Sequence, residues 1–344
     1  MSVKEASVGE AARGLKSRRW RARRWRARRW RARFPVVAAV VFAAGTAVRL
    51  GGLERGPLLV PLVSFTPYFA VAALVVLAVA VVARDRAASA VMLAVCVSLA
   101  WCVVPRVAGS AAAAGAGGRP LRVLTANLNG GRGDAQVIVE LVRRLDVDVL
   151  SLQELTWSAR DRLAAAGLER LLPYQVARPE FRGPVGSGIY ARHPLRERTG
   201  LFQPVGHHMP VAEVALPGGQ AVEVVAVHPV APVPRTVGEW EAGVSTLPPA
   251  PASGPPRILA GDFNATLDHA VFRRLLDTGY TDAAAATGQG LTPTWPMRRM
   301  PPLVAIDHVL TDGRAGAVAV EIHDVPGSDH RALFADLRVR PSAH

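Results

Sequence analysis

Residues 34–48 are almost wholly apolar, and the run continues past Arg49 to Leu53. Residues 58–83 carry no charge. Arg84-Asp85-Arg86 interrupts, and residues 87–104 are again uncharged. A helix needs about 20 consecutive apolar residues to cross a bilayer core, so the pattern predicts three transmembrane helices within residues 34–107. The first run also has the form of a signal peptide, a basic stretch before a short apolar one, and Ser17-Arg18-Arg19 mimics a twin-arginine signal. The two later spans anchor the chain in either case. Segment 108–118, AGSAAAAGAGG, reads as a flexible linker.

Beyond it, short apolar runs are punctuated by turn residues. Residues 121–126, 147–152, 187–192, 211–216, 221–227, 257–260, 304–310, 317–322 and 332–339 read as strands. Residues 135–145, 158–166 and 270–276 read as helices. LPPAPASGPP at 247–256 is a loop by composition. Residues 119–344 are long enough for one domain with a large core, and this mixture predicts two packed sheets covered by outer helices.

A formal net charge of +14 points at first to nucleic acid, as does the run RRWRARRWRARRWRAR at 18–33. The distribution of charge points elsewhere. Residues 1–118 hold 18 of the 41 basic and 4 of the 27 acidic residues, so 119–344 holds 23 of each and is neutral. It lacks the bulk attraction that drives non-specific DNA binding. On a helix, steps of five residues turn Trp20, Trp25 and Trp30 in three directions and make no stripe. Arginines directly before a first span follow the positive-inside rule, tryptophan suits the headgroup level, and anionic lipid attracts the run. Residues 1–33 are therefore expected to be a basic cytoplasmic segment, with a nucleic-acid arm or a low-complexity expansion as alternatives. Three spans then carry the rest of the chain to the outer face. Cys96 and Cys102 both lie in the third span, so the outer domain has no disulfide and no cysteine metal site.

The chemistry sits at strand ends. Asn127 (TANLN), Glu154 (SLQE), His228 (VAVHP), Asp262 and Asn264 (AGDFNAT), Asp307 and His308 (AIDHVL) and Asp329-His330 (GSDHRAL) each follow an apolar strand, or nearly so. Asparagine, carboxylates and histidines gathered at one edge of paired sheets make a hydrolytic metal site. His308 is expected to face away from Asp307. His207-His208, in a loop without a carboxylate at ligand spacing, reads as a solvated pair. Tyr190 either lines the site or packs.

The ordered set TANLN, LQE, SGIYARHP, VHP, GDFNAT, TPTW, IDHVL and GSDH resembles the endonuclease/exonuclease/phosphatase superfamily over nearly all of 121–338. The resemblance implies a DNase I-like α/β fold, a four-layer α/β sandwich, here preceded by three transmembrane helices. It also implies hydrolysis of a phosphate ester or anhydride with Mg²⁺ or Mn²⁺. Glu154 matches the principal metal carboxylate, Asn127 the asparagine beside it, and Asp329 a metal-side or second-site carboxylate. A hard divalent ion keeps several waters, so one or two carboxylates suffice. Asp262 matches the residue that orients or deprotonates the attacking water, and Asn264 a phosphate-oxygen donor. His228 and His330 match the pair that brackets the scissile phosphate, and Asp307 the carboxylate that holds the second histidine. Abasic endonucleases carry an acidic residue where this chain has Asn129, so a second metal contact there is not implied.

Nucleases and lipid phosphatases share this fold and these core residues. A neutral domain tethered at an outer membrane face meets lipid phosphates and pyrophosphates, not chromosomal DNA. Lysine occurs only at Lys4 and Lys16 while alanine, arginine and valine dominate, which suggests a GC-rich genome. Three spans before an outward domain resemble the actinomycete teicoplanin-resistance membrane phosphatases, which implies a polyprenyl pyrophosphate substrate and membrane lipid as partner. An extracytoplasmic nuclease or nucleotide phosphodiesterase is the alternative, and a domain kept only for binding is another. The loop WPMRRMPPL at 295–303 is expected at the rim of the site, with Arg298 and Arg299 reaching for lipid phosphate.

Overall fold

The computed structural model describes residues 34–109, 118–297 and 301–340. The RRWRA repeats, most of the expected linker, and Arg298 and Arg299 lie outside the described residues. The chain divides into two compact units, one of Met1–Gly51 and Tyr68–Ala100, the other of Gly52–Pro67 and Trp101–His344.

Helix α1 spans Phe34–Gly51, α2 Gly56–Val63, α3 Thr66–Val82, α4 Arg86–Val103 and α5 Pro105–Ala108. Helix α1 and the stretch Arg86–Ala108 are each long and apolar enough to cross a membrane, and α2 with α3 is a third candidate, bent by 77°. In the first unit Ala39, Ala73, Ala80, Ala88, Met92, Val95 and Leu99 form a core. Small residues there let helix backbones approach closely. The outward positions are apolar too, with Val71, Leu74 and Val97 more than half exposed. Such a surface suits lipid better than water. The uninterrupted span expected over residues 58–83 is broken. Pro67, second residue of α3, has no N–H and disfavours a helical residue before it, so α2 does not run through into α3. Val60 and Val63 of α2 are buried, and Val60 packs in a core of the second unit.

The second unit continues with β1 (Arg119–Asn127), α6 (Ala135–Arg144), β2 (Val149–Gln153), α7 (Trp157–Ala165), α8 (Leu168–Leu171), β3 (Tyr174–Arg178) and β4 (Ser187–Ala191). Then come β5 (Leu195–Glu197), β6 (Val211–Ala215), β7 (Ala221–Val227), α9 (Val237–Ser245), β8 (Arg257–Asp262), α10 (Ala270–Leu276) and β9 (Tyr280–Asp282). Helix α11 (Ala283–Ala286) and strands β10 (Asp307–Asp312), β11 (Ala315–Asp324) and β12 (Arg331–Val339) complete it. Two six-stranded sheets result, in the orders β11-β12-β1-β2-β4-β3 and β5-β6-β7-β8-β10-β9. One core lies between them, with Leu121 and Val123 from the first sheet and Val222, Val224 and Ile258 from the second. Two more cores cover the outer faces, one beneath α6 and α7, the other beneath α9 and α10. This is the expected four-layer α/β sandwich.

Local chemistry starts the covering helices where they are needed. The Asp134 carboxylate accepts from the Gln136 and Val137 N–H groups at the start of α6, and the Thr156 hydroxyl caps α7. The strand registers then gather the site. Strands β1 and β2 are parallel with Asn127 opposite Gln153, and β7 and β8 are parallel with Val227 opposite Gly261. Strands β8 and β10 are antiparallel with Asp262 opposite Asp307. A Cβ on Gly261 would fall 1.9 Å from the Val227 carbonyl oxygen, so the residue before Asp262 must be glycine for β8 to lie this close to β7.

Candidate active site

Asn127 closes β1 and links the two sheets. Its Nδ2 donates to Glu154 Oε1 at 3.2 Å and to Asp262 Oδ2 at 3.0 Å, while its Oδ1 accepts from the Asn129 N–H at 2.8 Å. Glu154 follows β2 with φ +56°, and its Oε2 accepts from the Gly130 N–H. A glutamate in this left-handed region is strained, and such strain is held at functional sites. Asn129 and Asn264 share the conformation at φ +50° and +49°, which asparagine tolerates better. The Asn129 Oδ1 accepts from the Arg132 guanidinium, so Asn129 shapes the turn.

On the other sheet, Asp262 Oδ1 accepts from the Asn264 N–H at 2.8 Å, and Asn264 Nδ2 donates to the Pro229 carbonyl at 3.1 Å. His330 Nδ1 lies 2.9 Å from Asp307 Oδ2, and its Nε2 3.6 Å from Asp262 Oδ2. His228 Nε2 is 3.8 Å from Asp262 Oδ2 and 4.0 Å from Glu154 Oε1. The Ser328 hydroxyl donates to the Asn127 carbonyl at 2.7 Å and accepts from the His330 N–H at 3.0 Å, which ties the start of β12 to the end of β1.

The charges are set by burial and by one another. Burial lifts the Asp262 carboxyl to about 7, against the pull of His330 and with the push of Asp307. Burial pulls His330 down, but Asp307 and Asp262 outweigh it and raise the imidazole to about 10. Burial holds His228 well below the usual histidine range, and His207 and His330 push the same way. Near neutral pH the site therefore pairs a neutral His228 with an imidazolium His330 and a carboxyl poised to exchange a proton.

Two groups of side chains bear on a metal ion. Asp262, Asp307 and His330 offer ligand atoms within 4.8 Å of one another. The His330–Asp307 hydrogen bond and the strong hold of His330 on its proton favour a proton-carrying pair there. Glu154, joined to Asp262 through Asn127, provides oxygen ligands and keeps 19% side-chain exposure. An oxygen-rich, partly open set fits a hard divalent ion that retains waters.

The structure brings Asn127, Glu154, His228, Asp262, Asn264, Asp307 and His330 together. Asp329 lies beside them. Its charge helps raise His330, and its backbone carbonyl accepts from the Met297 N–H at 2.9 Å. Tyr190 does not line the site. It is 1% exposed in the core beneath α6 and α7, opposite Leu150 and well down the strand from Glu154. His308 faces away as expected, bound to Asp282 Oδ2 at 2.8 Å and to the Ala265 carbonyl at 2.9 Å. The solvated pair expected at His207-His208 is corrected, because its partners are distant in sequence. His208 lies 3.1 Å from Glu180 Oε1, and the His207 ring packs 4.4 Å from the His228 ring. The Trp295 ring is 6.4 Å from that of His330, so the 295–303 loop does begin at the rim.

Sequence reasoning missed a cavity. Beside Glu154 lies a space of about 740 Å³ lined by Arg132, Arg162, Arg182 and Phe181. Phe181 is 85% exposed, and its ring is 6.4 Å from that of Trp157. Arg160 sits over the Trp157 ring at 5.4 Å. The only advance signal was the position of Arg132 in the turn after Asn127. Arg162 lies in α7, and Phe181 and Arg182 lie in the loop after β3, where no pattern in the sequence marks them.

A profile described as the Endonuclease/Exonuclease/phosphatase family matches residues 124–330. No curated protein matches the chain. Among solved structures, an endonuclease/exonuclease/phosphatase from Beutenbergia cavernae DSM 12333 is 20% identical with TM-score 0.52, over 65% of this chain and 72% of that one. A D. rerio TDP2 humanized by 14 mutations is 14% identical with TM-score 0.51, over 64% of this chain and 99% of that one. Truncated Caenorhabditis elegans TDP2 is 16% identical with TM-score 0.51, over 64% and 98%. These likenesses establish the fold.

Proposed function

The chain belongs to the endonuclease/exonuclease/phosphatase family, and from that premise we propose a membrane-anchored, divalent-metal-dependent phosphohydrolase acting on a lipid pyrophosphate or phosphate of the polyprenyl class. The observation that carries the chemistry is the placement of Asp262, whose Oδ2 lies 3.6 Å from His330 Nε2 and accepts from Asn127 Nδ2, the amide that also reaches Glu154. Asp262 orients the attacking water and accepts its proton. His330, held protonated and aimed by Asp307, donates to a phosphoryl oxygen or to the leaving-group oxygen. His228 and the second Asn264 amide hydrogen complete the donors around the phosphoryl group. Glu154, with Asn127 beside it, would hold a divalent ion, which would supply charge neutralisation to the phosphoryl group.

The lipid substrate draws its support from three features: apolar helices of membrane-spanning length, a neutral domain over 119–344, and the arginine-lined cavity beside Glu154. With the basic N-terminus inside, three spans would put the domain on the outer face. A reporter active only outside the cytoplasm, fused at His344, is then expected to be active. An active cytoplasmic reporter there would refute this orientation. The substrate test compares a polyprenyl pyrophosphate, bis-p-nitrophenyl phosphate and plasmid DNA, using the full chain in detergent with Mg²⁺. The pyrophosphate is expected to be hydrolysed with the highest kcat/KM.

A second reading, a nuclease or nucleotide phosphodiesterase, is favoured by one observation. Phe181 and Trp157 are exposed aromatics beside arginines, and bases stack on such platforms. D. rerio TDP2 has been solved with a single-strand DNA product. Nicking or degradation of the plasmid at a higher kcat/KM than the lipid would decide for this reading.

A further inference from the structure

We propose that residues 52–67 and 101–109, which flank the membrane helices in sequence, are working parts of the catalytic unit, because they position the loop that carries Asn264. The inference takes its activity readout from the phosphohydrolase reading above.

Residues 263–269 leave β8 directly after Asp262. The loop is held at its near end by the site itself, with the Asn264 N–H on Asp262 Oδ1. At its far end it is held by residues that sequence motifs do not mark. The Arg106 guanidinium grips Asp268 with two hydrogen bonds, Nη1 to Oδ2 at 2.7 Å and Nη2 to Oδ1 at 2.6 Å. Both side chains are buried, at 8% and 1% exposure. The Arg106 carbonyl accepts from the Gly290 N–H at 3.1 Å, so the arginine backbone is itself fixed to the domain. The next residue, His269, is read unambiguously. Its Nδ1 accepts from the Thr266 N–H at 2.9 Å, so Nε2 carries the hydrogen and donates to the Val60 carbonyl of α2 at 3.0 Å. Burial keeps this imidazole neutral by lowering its proton affinity. Glu54 accepts from the Ala270 N–H, where α10 begins.

Three contacts from the membrane-flanking segments, made by Arg106, Val60 and Glu54, thus converge on residues 268–270, four to six positions beyond Asn264. Asn264 sits at φ +49°, in a turn whose far end is set by these three contacts. A bidentate buried pair fixes both distance and direction, and displacement of a catalytic donor by about 1 Å costs up to about 100-fold in rate. The two segments therefore act as positioning elements for Asn264.

The test uses the full-length chain in detergent, with saturating Mg²⁺ and bis-p-nitrophenyl phosphate. Arg106→Gln is expected to lower kcat about 10- to 100-fold while KM stays within about twofold. Arg106→Lys keeps the charge without the fork, and is expected to recover part of that loss. The decisive measurement is a cycle with Asn264→Ala. If Arg106 acts through Asn264, Arg106→Gln adds little once Asn264 is gone, whereas losses that multiply overturn the proposal. If Arg106→Gln does not fold, Arg106→Lys carries the same cycle. Amide hydrogen exchange over residues 263–269 is expected to quicken in the Arg106 variant while β1 and β2 stay protected, and unchanged exchange there also overturns the proposal. A wild-type chain inert toward both the diester and a polyprenyl pyrophosphate would instead count against the phosphohydrolase reading, and hydrogen exchange would still decide this one.

Discussion

The two sheets meet the substrate edge with the same device and different chemistry. Each has a central parallel pair, β1–β2 in one and β7–β8 in the other, whose strands end at the site. The first pair delivers Asn127 and a partly open Glu154, held by the Gly130 N–H and the Asn127 amide. The second delivers His228 and Asp262, both 2% exposed in their side chains and shifted far from ordinary proton affinity. Strand β10 adds Asp307 to that side, and the turn before β12 adds His330 from the other. One sheet thus keeps a carboxylate accessible enough for an ion. The other buries its carboxylates and balances them by sharing protons. Burial is what separates an ion-holding carboxylate from a proton-accepting one.

Substitutions that remove one sheet's contribution test this division. Asp262→Asn removes the proton acceptor and is expected to lower kcat by about 10²–10⁴-fold, with no recovery at high Mg²⁺. Glu154→Gln keeps shape and removes the charge that holds the ion. A loss of about 10²–10³-fold is expected, and titration with Mg²⁺ should restore part of it. The same metal dependence in both variants would erase the distinction between the sheets. His330→Ala should abolish turnover while calorimetric metal binding persists. Asp307→Asn should give an intermediate loss, because it acts through His330.

The pH profile sharpens the comparison further. Asp262 must be unprotonated, so kcat/KM rises with pH through a limb near 7. His330 must be protonated, so the rate falls through a limb near 10. Asp307 carries a negative charge that raises both groups. Asp307→Asn is therefore expected to move both limbs toward lower pH, read from a stopped assay across the range. An alkaline limb that stays in place would separate Asp307 from His330.

How far the sequence revealed this depends on where each group gets its partners. The central strands were legible because they are apolar runs, and the site was legible because its residues sit where those runs stop. The missed strands β3, β5 and β9 are all sheet edges. Strands β5 and β9 have three residues each, too few for periodicity to register, and β3, YQVAR, buries only Val176. An edge strand has one neighbour and one covered face, so it needs no apolar run. Helix α9 was hidden by Gly238 and Gly243 in its sequence. The contacts of Arg106 with Asp268 and of His269 with Val60 join residues 162 and 209 positions apart. No local pattern encodes such pairings, and the alanine-glycine run after Arg106 drew attention to flexibility instead. Ser328 stood inside a matched motif, yet only the fold explains it, as the brace between β1 and β12.

The smallest expected effects lie at the two rims of the site. Phe181 belongs to the loop after β3, on the first sheet's side, and lines the cavity with Arg182. Trp295 lies on the approach to β10, on the second sheet's side, 6.4 Å from the His330 ring. If the first side binds the non-reacting part of the substrate, Phe181→Ala removes binding that is equal in ground and transition states. KM for a polyprenyl pyrophosphate should then rise about three- to tenfold with kcat unchanged, and bis-p-nitrophenyl phosphate, which has no such extension, should be unaffected. Trp295→Ala perturbs the surroundings of the proton donor, so its loss should appear in kcat on both substrates, again within about tenfold. Steady-state kinetics of the two variants on the two substrates separates these outcomes. A kcat effect at Phe181 or a pure KM effect at Trp295 would mean that the two sheets do not divide binding from proton transfer at their rims.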